Sequence, residues 1–452
     1  MKKNEYYNVK ITDLTLDGNG VCRVEGMTVF VPHTAIGDHI CIKIVKVLKH
    51  YAFGIVDALE KASVDRIEPV CRQTGCGGCV FEYLNYEAEL RIKEKSVVDA
   101  FTRIGKLSPE FLPILASPQR TRYRNKAQYP FAVDKNGIPY LGFYAKHSHR
   151  VVSVTDCLLQ PLVFRKIAAV VLEFVRQKKI PVYDEATHTG RMRHLYLRQG
   201  AHSGEIMVCF VVCQPIREKL LPLVERLVEQ FPQIHSVSMN VNPKQTNVIL
   251  GSRTDFLWGS DHITDEMCGI SVDLSPASFY QVNTAAAEQL YRVAKRFAEL
   301  NGTERLLDFY CGAGTIGLSM ADACKQLLGV EIVPDAVENA KRNAIRASIS
   351  HAQFYCGDVG EIATQLQIQG ETPDVIVVDP PRKGCNNRAI NAMVQMQPKR
   401  IVMISCNPAT AARDCALLEQ KSYCIKEVQA VDLFPMTGNV ECVIRIEKNP
   451  TV

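Results

Sequence analysis

The last part of the chain carries the pattern that most limits its fold. Beyond Leu274, short and almost wholly apolar segments alternate with stretches of helical periodicity. Strands buried on both faces have this composition, and helices between them imply a parallel sheet covered on two sides. We therefore expect an α/β domain whose apolar strands are residues 305–309, 327–331, 375–379 and 401–405.

The 452 residues are enough for three domains. Residues 1–60 contain five short alternating strands with glycine corners, which predict a small barrel resembling the OB-like TRAM module of RNA-modifying enzymes. Residues 61–270 predict a central α+β domain, mainly strands from residue 117 with one helix near 163–177, and residues 271–452 form the last domain. A charged helical segment at about 86–115 can pack on that last domain.

A glycine-rich turn follows the first strand of the last domain. Asp308 lies at the end of this strand, and Gly312, Gly314 and Gly317 follow in G-x-G-x-x-G spacing. Glycines let the backbone approach a ligand closely, and ligands of such sheets bind beyond the carboxyl ends of the strands. Glu331 ends the next strand, where its carboxylate can accept both ribose hydroxyls. The pattern suits NAD and S-adenosylmethionine equally well.

Two further strand ends carry polar motifs. Asp379-Pro-Pro-Arg382 presents a carboxylate and a rigid edge poor in hydrogen-bond donors to a planar group, which favours a methyltransferase acting on nucleobases. Asp358, in Tyr-Cys-Gly-Asp, follows the third strand, where such a fold meets adenine. The cofactor expected here is therefore S-adenosylmethionine.

A candidate nucleophile follows the strand 401–405. Cys406 precedes Asn407-Pro408, a sharp turn that would leave its thiol exposed in the pocket. A thiolate that adds to carbon 6 of uracil makes carbon 5 nucleophilic enough to take up a methyl group. A base must then remove the proton of carbon 5, and Glu441, at the start of the last strand, is the candidate.

Three cysteines lie within nine residues in Cys71-x4-Cys76-Gly-Gly-Cys79, and Cys157 stands alone in a polar turn. Four thiolates can bind zinc or a four-iron, four-sulfur cluster, and the spacing does not decide between them. Because the 17 cysteines are spread through a large chain without an export signal, most are expected to be reduced.

The ordered motifs together resemble the RNA uracil-5 methyltransferase family, in particular its ribosomal RNA branch. The resemblance rests on Phe-Tyr-Gln, Asp-x-Tyr-Cys-Gly-x-Gly, Asp-Pro-Pro-Arg, Ser-Cys-Asn-Pro and Val-Glu-Cys, in this order. It implies that Cys406 is the nucleophile and Glu441 the base, and it favours the iron–sulfur cluster over zinc. The chain departs from the family in carrying Met436 and Asn439 where histidines are common. The residues that the resemblance assigns to S-adenosylmethionine are Gln281, Tyr310, Thr315, Glu331 and Asp379.

The RNA contacts are expected in the central domain. Residues 117–150 hold seven Lys or Arg against one acid, interleaved with aromatic residues, a composition that can neutralise phosphates and stack bases. A solvated strand face with core aromatics would have the same composition. The resemblance implies that Arg122, Arg124, Lys126 and Phe279 contact the RNA.

The expected function is S-adenosylmethionine-dependent formation of 5-methyluridine in 23S ribosomal RNA by a cytoplasmic monomer with no membrane segment. The nearest alternative is the same reaction on transfer RNA. Two others are an NAD-dependent oxidoreductase, which the glycine turn permits, and a non-catalytic iron–sulfur protein that binds RNA.

Overall fold

The structure is a computed structural model, and it describes residues 1–71, 73, 75–154 and 156–449. In the described part of the chain, no helix has the length and apolar character that crossing a bilayer would need.

The N-terminal residues form a curved six-stranded sheet, in which β4 and β6 are parallel and the other neighbours antiparallel. Alternate residues of its fifth strand, Ile40, Ile42 and Ile44, are buried in the small core of this barrel-like sheet. The sheet has one strand more than the sequence predicts. Its strands are β1 (Tyr6–Lys10), β2 (Asp13–Leu14), β3 (Asn19–Val24), β4 (Met27–Pro32), β5 (His39–Val47) and β6 (Tyr51–Lys61).

The charged segment after the cysteine-rich loop forms helix α1 (Tyr86–Asp99), which continues as a π-helical turn (Ala100–Gly105). Asn85 caps α1, because its side chain accepts a hydrogen bond from the backbone N–H of Ala88 at 2.8 Å. Strand β7 (Glu110–Leu115) follows and joins the edge of the last sheet. Residues 86–115 therefore pack on the last domain.

The central part is a seven-stranded sheet in the order β10-β9-β8-β11-β12-β13-β14. Two helices cover one of its faces, and their apolar residues form one core with the sheet. The second of these helices, α3, contains Pro222 and was not predicted from the sequence. The elements are β8 (Lys126–Val133), β9 (Pro139–Tyr144), β10 (Val151–Ser153), α2 (Leu162–Gln177), β11 (Met192–Gln199), β12 (Ile206–Val212), α3 (Arg217–Gln230), β13 (Ile234–Val241) and β14 (Arg253–Gly259).

A hairpin and a helix lead into the last sheet. The hairpin strands are β15 (Ile263–Met267) and β16 (Ile270–Leu274), and the helix is α4 (Thr284–Ala298). Asn283 caps α4 by accepting a hydrogen bond from the backbone N–H of Ala286. This agrees with the helix start predicted from the sequence.

The last sheet has the order β19-β18-β17-β20-β21-β23-β22-β7. The predicted apolar strands are parallel to one another, whereas β23 is antiparallel to both of its neighbours. Alternate residues face two separate cores, with Leu306 in one and Leu307 in the other. The sheet is thus buried on both faces, as expected for a methyltransferase-like α/β domain.

The elements of this domain are β17 (Arg305–Phe309), α5 (Thr315–Leu318), a 3₁₀ turn (Ala321–Ala323), β18 (Gln326–Glu331), α6 (Pro334–Arg346), β19 (Ala352–Cys356), α7 (Val359–Ile368), β20 (Val375–Val378), α8 (Asn387–Met396), β21 (Arg400–Ser405), α9 (Pro408–Glu419), β22 (Tyr423–Val431) and β23 (Glu441–Lys448).

Candidate active site

Cys406 and Glu441 lie opposite each other at one end of the last sheet. Ser405, the last residue of β21, pairs with Cys442 of β23 in antiparallel register. Cys406 follows Ser405 and Glu441 precedes Cys442, so this register brings both residues to the same end of the strand pair. After burial, it is the Glu441 charge that raises the pKa of the Cys406 thiol. Cys406 is half-buried, and Glu441 is buried. The structure therefore brings the predicted nucleophile and the predicted base together.

The surroundings hold both groups mainly in their protonated forms. Burial, and then the nearby Asp379 carboxylate, raises the pKa of Glu441 to about 8, while Arg382 opposes this shift. Burial also raises the pKa of the Cys406 thiol, with further contributions from Glu441 and Asp379. Burial alone raises the pKa of Asp379 to about 7. The strand ends thus gather three acidic groups around one cation.

Arg382 is that cation, and the sequence reasoning did not select it. Its charge and its hydrogen bond favour the thiolate form of Cys406 and so lower the thiol pKa. Asn407 fixes the backbone of Arg382 by donating from Nδ2 to its carbonyl oxygen at 3.2 Å. The Arg382 side chain also approaches the Asn439 amide oxygen, at 3.4 Å from Nη2. Its place directly after Asp-Pro-Pro was the signal in the sequence.

The glycine turn lies beside this group, at the ends of β17 and β18. Gly312 and Gly314 have φ values of 54° and 79°, and Tyr310 also has a positive φ of 62°. A Cβ added at Gly312 would meet no atom within 4 Å, so this side of the turn is open. The Glu331 carboxylate accepts hydrogen bonds from the backbone N–H groups of Gly312 at 3.1 Å and Val333 at 2.9 Å. The turn therefore has the open, backbone-lined form that a nucleoside ligand requires.

Asp308 holds the glycine turn through a hydrogen bond. Its Oδ2 accepts a hydrogen bond from the backbone N–H of Gly317 at 2.9 Å, while its Oδ1 is buried without a protein partner in the described part of the chain. Burial raises the pKa of Asp308 to about 8. Such an orphaned carboxyl oxygen beside an open glycine turn is compatible with a ligand that donates a hydrogen bond.

The remaining predicted cofactor residues surround the same edge. Thr315 begins α5, and its hydroxyl lies 3.2 Å from that of Tyr291. Gln281 precedes α4, and its backbone carbonyl accepts a hydrogen bond from Asn125 at 2.9 Å. Asp358 caps α7 through Oδ1, which accepts from the N–H of Gly360 at 2.9 Å. Their contacts with a cofactor stay predictions.

The four predicted metal ligands line one cavity. Cys71, Cys76, Cys79 and Cys157 surround a space of about 300 Å³ that Met436 closes on the side of the last domain. Among the described residues, no three His, Cys, Asp or Glu side chains form a group that could hold a metal ion. The cysteines thus share a cavity, but they do not form a ligand set in the structure.

The predicted RNA residues fall into two groups. Arg122 is bound inside the protein, because Nη1 donates to Asp156 Oδ1 at 2.7 Å and also to the carbonyl of Cys157. Arg124 and Lys126, in contrast, have no ion-pair partner in the part of the chain that the structure describes. Phe279 projects into solvent and is 77% exposed. Phe279 is therefore exposed to a ligand, whereas Arg124 lies over the Phe434 ring and Lys126 is half-buried.

Comparison with known proteins relates this geometry to a family. Residues 85–449 match the family described as tRNA (uracil-5-)-methyltransferase, and residues 2–56 match the TRAM domain. The chain is 42% identical to an uncharacterised RNA methyltransferase of Halalkalibacterium halodurans, covering 99% of this chain and 98% of that protein. A second uncharacterised RNA methyltransferase, from Oceanobacillus iheyensis, is 39% identical over 99% of this chain and 97% of its own length.

A solved structure agrees with this assignment. The tRNA (uracil-54, C5)-methyltransferase of Pyrococcus abyssi, in complex with S-adenosyl-L-homocysteine, superposes with a TM-score of 0.78 at 26% identity. The superposition covers 97% of this chain and 100% of the other. The chain therefore belongs to the tRNA (uracil-5-)-methyltransferase family and is an RNA methyltransferase.

Proposed function

We propose that this protein methylates carbon 5 of a uridine in RNA with S-adenosylmethionine as the methyl donor, through a transient bond between Cys406 and carbon 6. The observation that carries the proposal is the proximity of Cys406 and Glu441 where β21 and β23 meet, with Asp379 and Arg382 beside them. A nucleophile and a base at one point are what addition to the ring and its reversal require.

The residues around the glycine turn fit S-adenosylmethionine. The open side of Gly312 leaves room for the cofactor, Glu331 is placed to accept from ribose hydroxyls, and the exposed Ile332 and Val333 offer apolar surface to an adenine ring. Tyr310, Thr315, Gln281, Asp358 and Asp379 complete the proposed set. When bound, the cofactor supplies an electrophilic methyl group.

The chain's own residues perform the remaining steps. The Cys406 thiol loses its proton to solvent, and Arg382 stabilises the resulting thiolate. The thiolate adds to carbon 6 of the uracil, so that carbon 5 becomes nucleophilic. After carbon 5 has gained its methyl group, the Glu441 carboxylate removes the proton from carbon 5. The electrons of that C–H bond form the carbon 5–carbon 6 double bond, and the thiolate leaves. The proton then passes from Glu441 to solvent.

The covalent step can be tested with RNA that contains 5-fluorouridine. Fluorine cannot leave as a proton does, so the wild-type protein with S-adenosylmethionine should form an adduct that survives denaturing electrophoresis. Cys406→Ala should abolish this adduct, whereas Cys424→Ala, a half-buried thiol at the far end of the sheet, should not. An adduct retained by Cys406→Ala would contradict the proposal.

The base can be tested with ordinary RNA. Glu441→Gln should still allow addition and methyl transfer, but it should block removal of the carbon 5 proton. The variant should therefore stay covalently bound to RNA that contains ordinary uridine. Rapid release of methylated RNA by this variant would show that another group is the base.

The RNA substrate is proposed at the level of its class. Ribosomal RNA was predicted from the resemblance to the ribosomal RNA branch of the family, but the Pyrococcus abyssi protein, a tRNA methyltransferase, superposes over 97% of this chain, barrel included. The barrel therefore does not exclude tRNA. Parallel adduct assays with fluorouridine-substituted tRNA and 23S ribosomal RNA fragments distinguish the two, because only the true substrate should be trapped at a low protein concentration.

We further propose that the four cysteines hold a four-iron, four-sulfur cluster. One thiolate binds each iron of such a cluster, so its ligands surround a volume, whereas the four ligands of zinc converge on one ion. The cysteines line a common cavity, which leaves space for a group of several metal atoms and so favours the cluster.

The cluster is tested by metal analysis of protein prepared without oxygen. About four iron atoms per chain are expected, with a loss of iron in Cys157→Ser and no loss in Cys213→Ser, a half-buried cysteine of the central domain. One zinc ion per chain and no iron would contradict this part of the proposal.

A further inference from the structure

A cluster of buried charges joins helix α1 to the segment that precedes the proposed base. Lys93 and Glu89, one helical turn apart on α1, and Asp432 at the end of β22 are all fully buried. Lys93 Nζ donates to Glu89 Oε1 and to Asp432 Oδ1, each at 2.7 Å. Asp432 lies 339 residues from Lys93 in sequence. We call these three residues the buried triad and residues 432–440 the base loop.

The buried triad binds the backbone of the base loop directly. Lys93 Nζ also donates to the carbonyl oxygen of Phe434 at 3.1 Å. Glu89 Oε1 accepts a hydrogen bond from the backbone N–H of Met436 at 2.6 Å. The Asp432 carboxylate accepts a further bond from the Tyr86 hydroxyl, also on α1, at 2.8 Å. One face of α1 therefore fixes three positions of the loop.

The opposite side of the base loop is held by the central part of the molecule. Tyr123 donates from its hydroxyl to the carbonyl of Pro435 at 2.9 Å, and the backbone N–H groups of Val80 and Phe81 donate to the carbonyl of Met436 at 2.9 and 3.1 Å. Met436 has a φ of 66°, a left-handed conformation that costs energy for a residue with a side chain. The surrounding bonds are what maintain it.

Stability alone gives no reason for such an arrangement. Moving charges out of water costs free energy, and apolar side chains of the same volume often stabilise a protein as much as a buried ion pair or more. A buried ion pair is therefore poor evidence for a gain in stability. The triad instead specifies one conformation of the base loop, and that loop leads directly into Glu441. Glu441 pairs with Val431, the neighbour of Asp432, so the triad lies beside the strand pair that carries Glu441.

We infer that Lys93, Glu89 and Asp432 are positioning residues for Glu441, and that they act on proton removal rather than on addition of the thiol. This inference rests on the proposed function. Cys406 directly follows β21, and among the described residues no hydrogen bond or ion pair joins the triad to that strand. Loss of the triad should therefore separate two steps that the wild-type enzyme performs together.

The test uses Lys93→Met in the full chain with ordinary substrate RNA and S-adenosylmethionine. Single-turnover methyl transfer to RNA should stay within about threefold of the wild type, whereas release of methylated RNA should slow by about tenfold or more, as expected for a misplaced catalytic group. The denaturant-resistant adduct should accumulate accordingly. Lys95→Met is the matched control, because Lys95 lies on the same helix and forms ion pairs with Asp13 and Asp99 at the surface.

A parallel slowing of methyl transfer and release, without adduct, would overturn the inference, and so would unchanged release. Lys93→Met leaves two buried carboxylates with only Arg120, 3.7 Å from Glu89, as a nearby cation among the described residues, and the variant can fail to fold. If Lys93→Met does not fold, the test uses instead the triple variant Glu89→Gln, Lys93→Met and Asp432→Asn, which removes all three charges of the triad. Slow release by the folded triple variant supports the inference, and a triple variant that does not fold overturns it by assigning the triad to stability.

The wild-type protein separates this inference from the proposed function. If the wild type forms no adduct with 5-fluorouridine RNA, the proposed function fails and the inference fails with it. If the wild type forms the adduct and Lys93→Met releases its product normally, only the inference fails.

Discussion

At the scale of single residues, the two chemical groups could be predicted and their environment could not. Cys406 and Glu441 stand in short motifs whose residue types suit nucleophile and base. Glu89 and Lys93, by contrast, read as an ordinary i,i+4 pair on the surface of a charged helix. Only the packing of α1 against the base loop buries them, and that packing depends on residues more than 300 positions away.

The pKa of Glu441 predicts how the reaction depends on pH. A general base must be deprotonated, so release of methylated RNA should rise with pH through about 8. Because Arg382 lowers this pKa, Arg382→Gln should move the rising limb to higher pH, while Arg382→Lys should leave it nearly in place. Single-turnover release measured from pH 6 to pH 10 for the three proteins checks this. A limb that does not move in Arg382→Gln would exclude the proposed electrostatic role.

The same pKa predicts that Glu441 weakens the fold at neutral and alkaline pH. The folded protein holds the Glu441 proton up to about pH 8, whereas the unfolded chain loses it near the ordinary value of about 4.3. The stability from this proton is complete below the unfolded pKa and is lost as pH rises through the folded pKa. Glu441→Gln should therefore raise the free energy of unfolding by on the order of 1–3 kcal/mol at pH 8 and by little at pH 4.

Urea unfolding of the two proteins at both pH values measures the difference. Glu60→Gln provides the control, because Glu60 is exposed and its replacement removes no buried charge. An equal effect of Glu441→Gln at pH 4 and pH 8 would show that the side-chain replacement, and not the proton, changes the stability.

At the scale of elements, the apolar strands of the last domain were correctly predicted because burial on both faces leaves a continuous apolar run. Helix α3 was missed, since Pro222 within it removes a backbone donor and disfavours a helix. The pairing of β7 with β22 also could not be foreseen, because an edge strand can be supplied by any part of the chain. The antiparallel register of β23, which places Glu441 opposite Cys406, is likewise a property of the assembled sheet.

Gly438 in the base loop provides a prediction at this scale. A Cβ at this position would lie 1.8 Å from the carbonyl oxygen of Leu16 in the N-terminal barrel, so the two backbones are in direct contact. Gly438→Ala must separate them, and it should destabilise the protein by about 1–3 kcal/mol. It should also slow release of methylated RNA. In Gly54→Ala, within β6, the added Cβ would meet its nearest atoms at 3.4 Å, an ordinary contact.

Chemical denaturation of both glycine variants measures the change in stability. The amount of covalent adduct shows whether proton removal by Glu441 is slowed. If Gly438→Ala is as stable and as active as Gly54→Ala, the barrel and the base loop are not coupled through this contact.

At the scale of the whole molecule, the barrel, the cysteine cavity and α1 all contact the base loop or its immediate neighbours. Gly438 meets the barrel, Met436 closes the cysteine cavity, and the buried triad joins the loop to α1. The sequence predicts three domains and a contact of the segment 86–115 with the last of them, but no common meeting point. The structure shows that they meet at one segment, which gives the barrel and the central domain a route to influence the proposed proton transfer.

RNA binding gives the prediction that involves the whole surface. Arg124 and Lys126 have no acidic partner among the described residues, and burial beside Arg198 and Arg124 lowers the pKa of Lys126 to about 8. We expect a phosphate of the RNA to pair with them. Replacing Arg124 or Lys126 with Ala should weaken RNA binding and reduce the slope of log affinity against log salt concentration by about 1.

Arg122→Ala should instead lower stability, because Arg122 is bonded to Asp156. Fluorescence anisotropy with labelled RNA at several KCl concentrations measures the slopes, and an unchanged slope in Arg124→Ala and Lys126→Ala would remove these residues from the RNA surface.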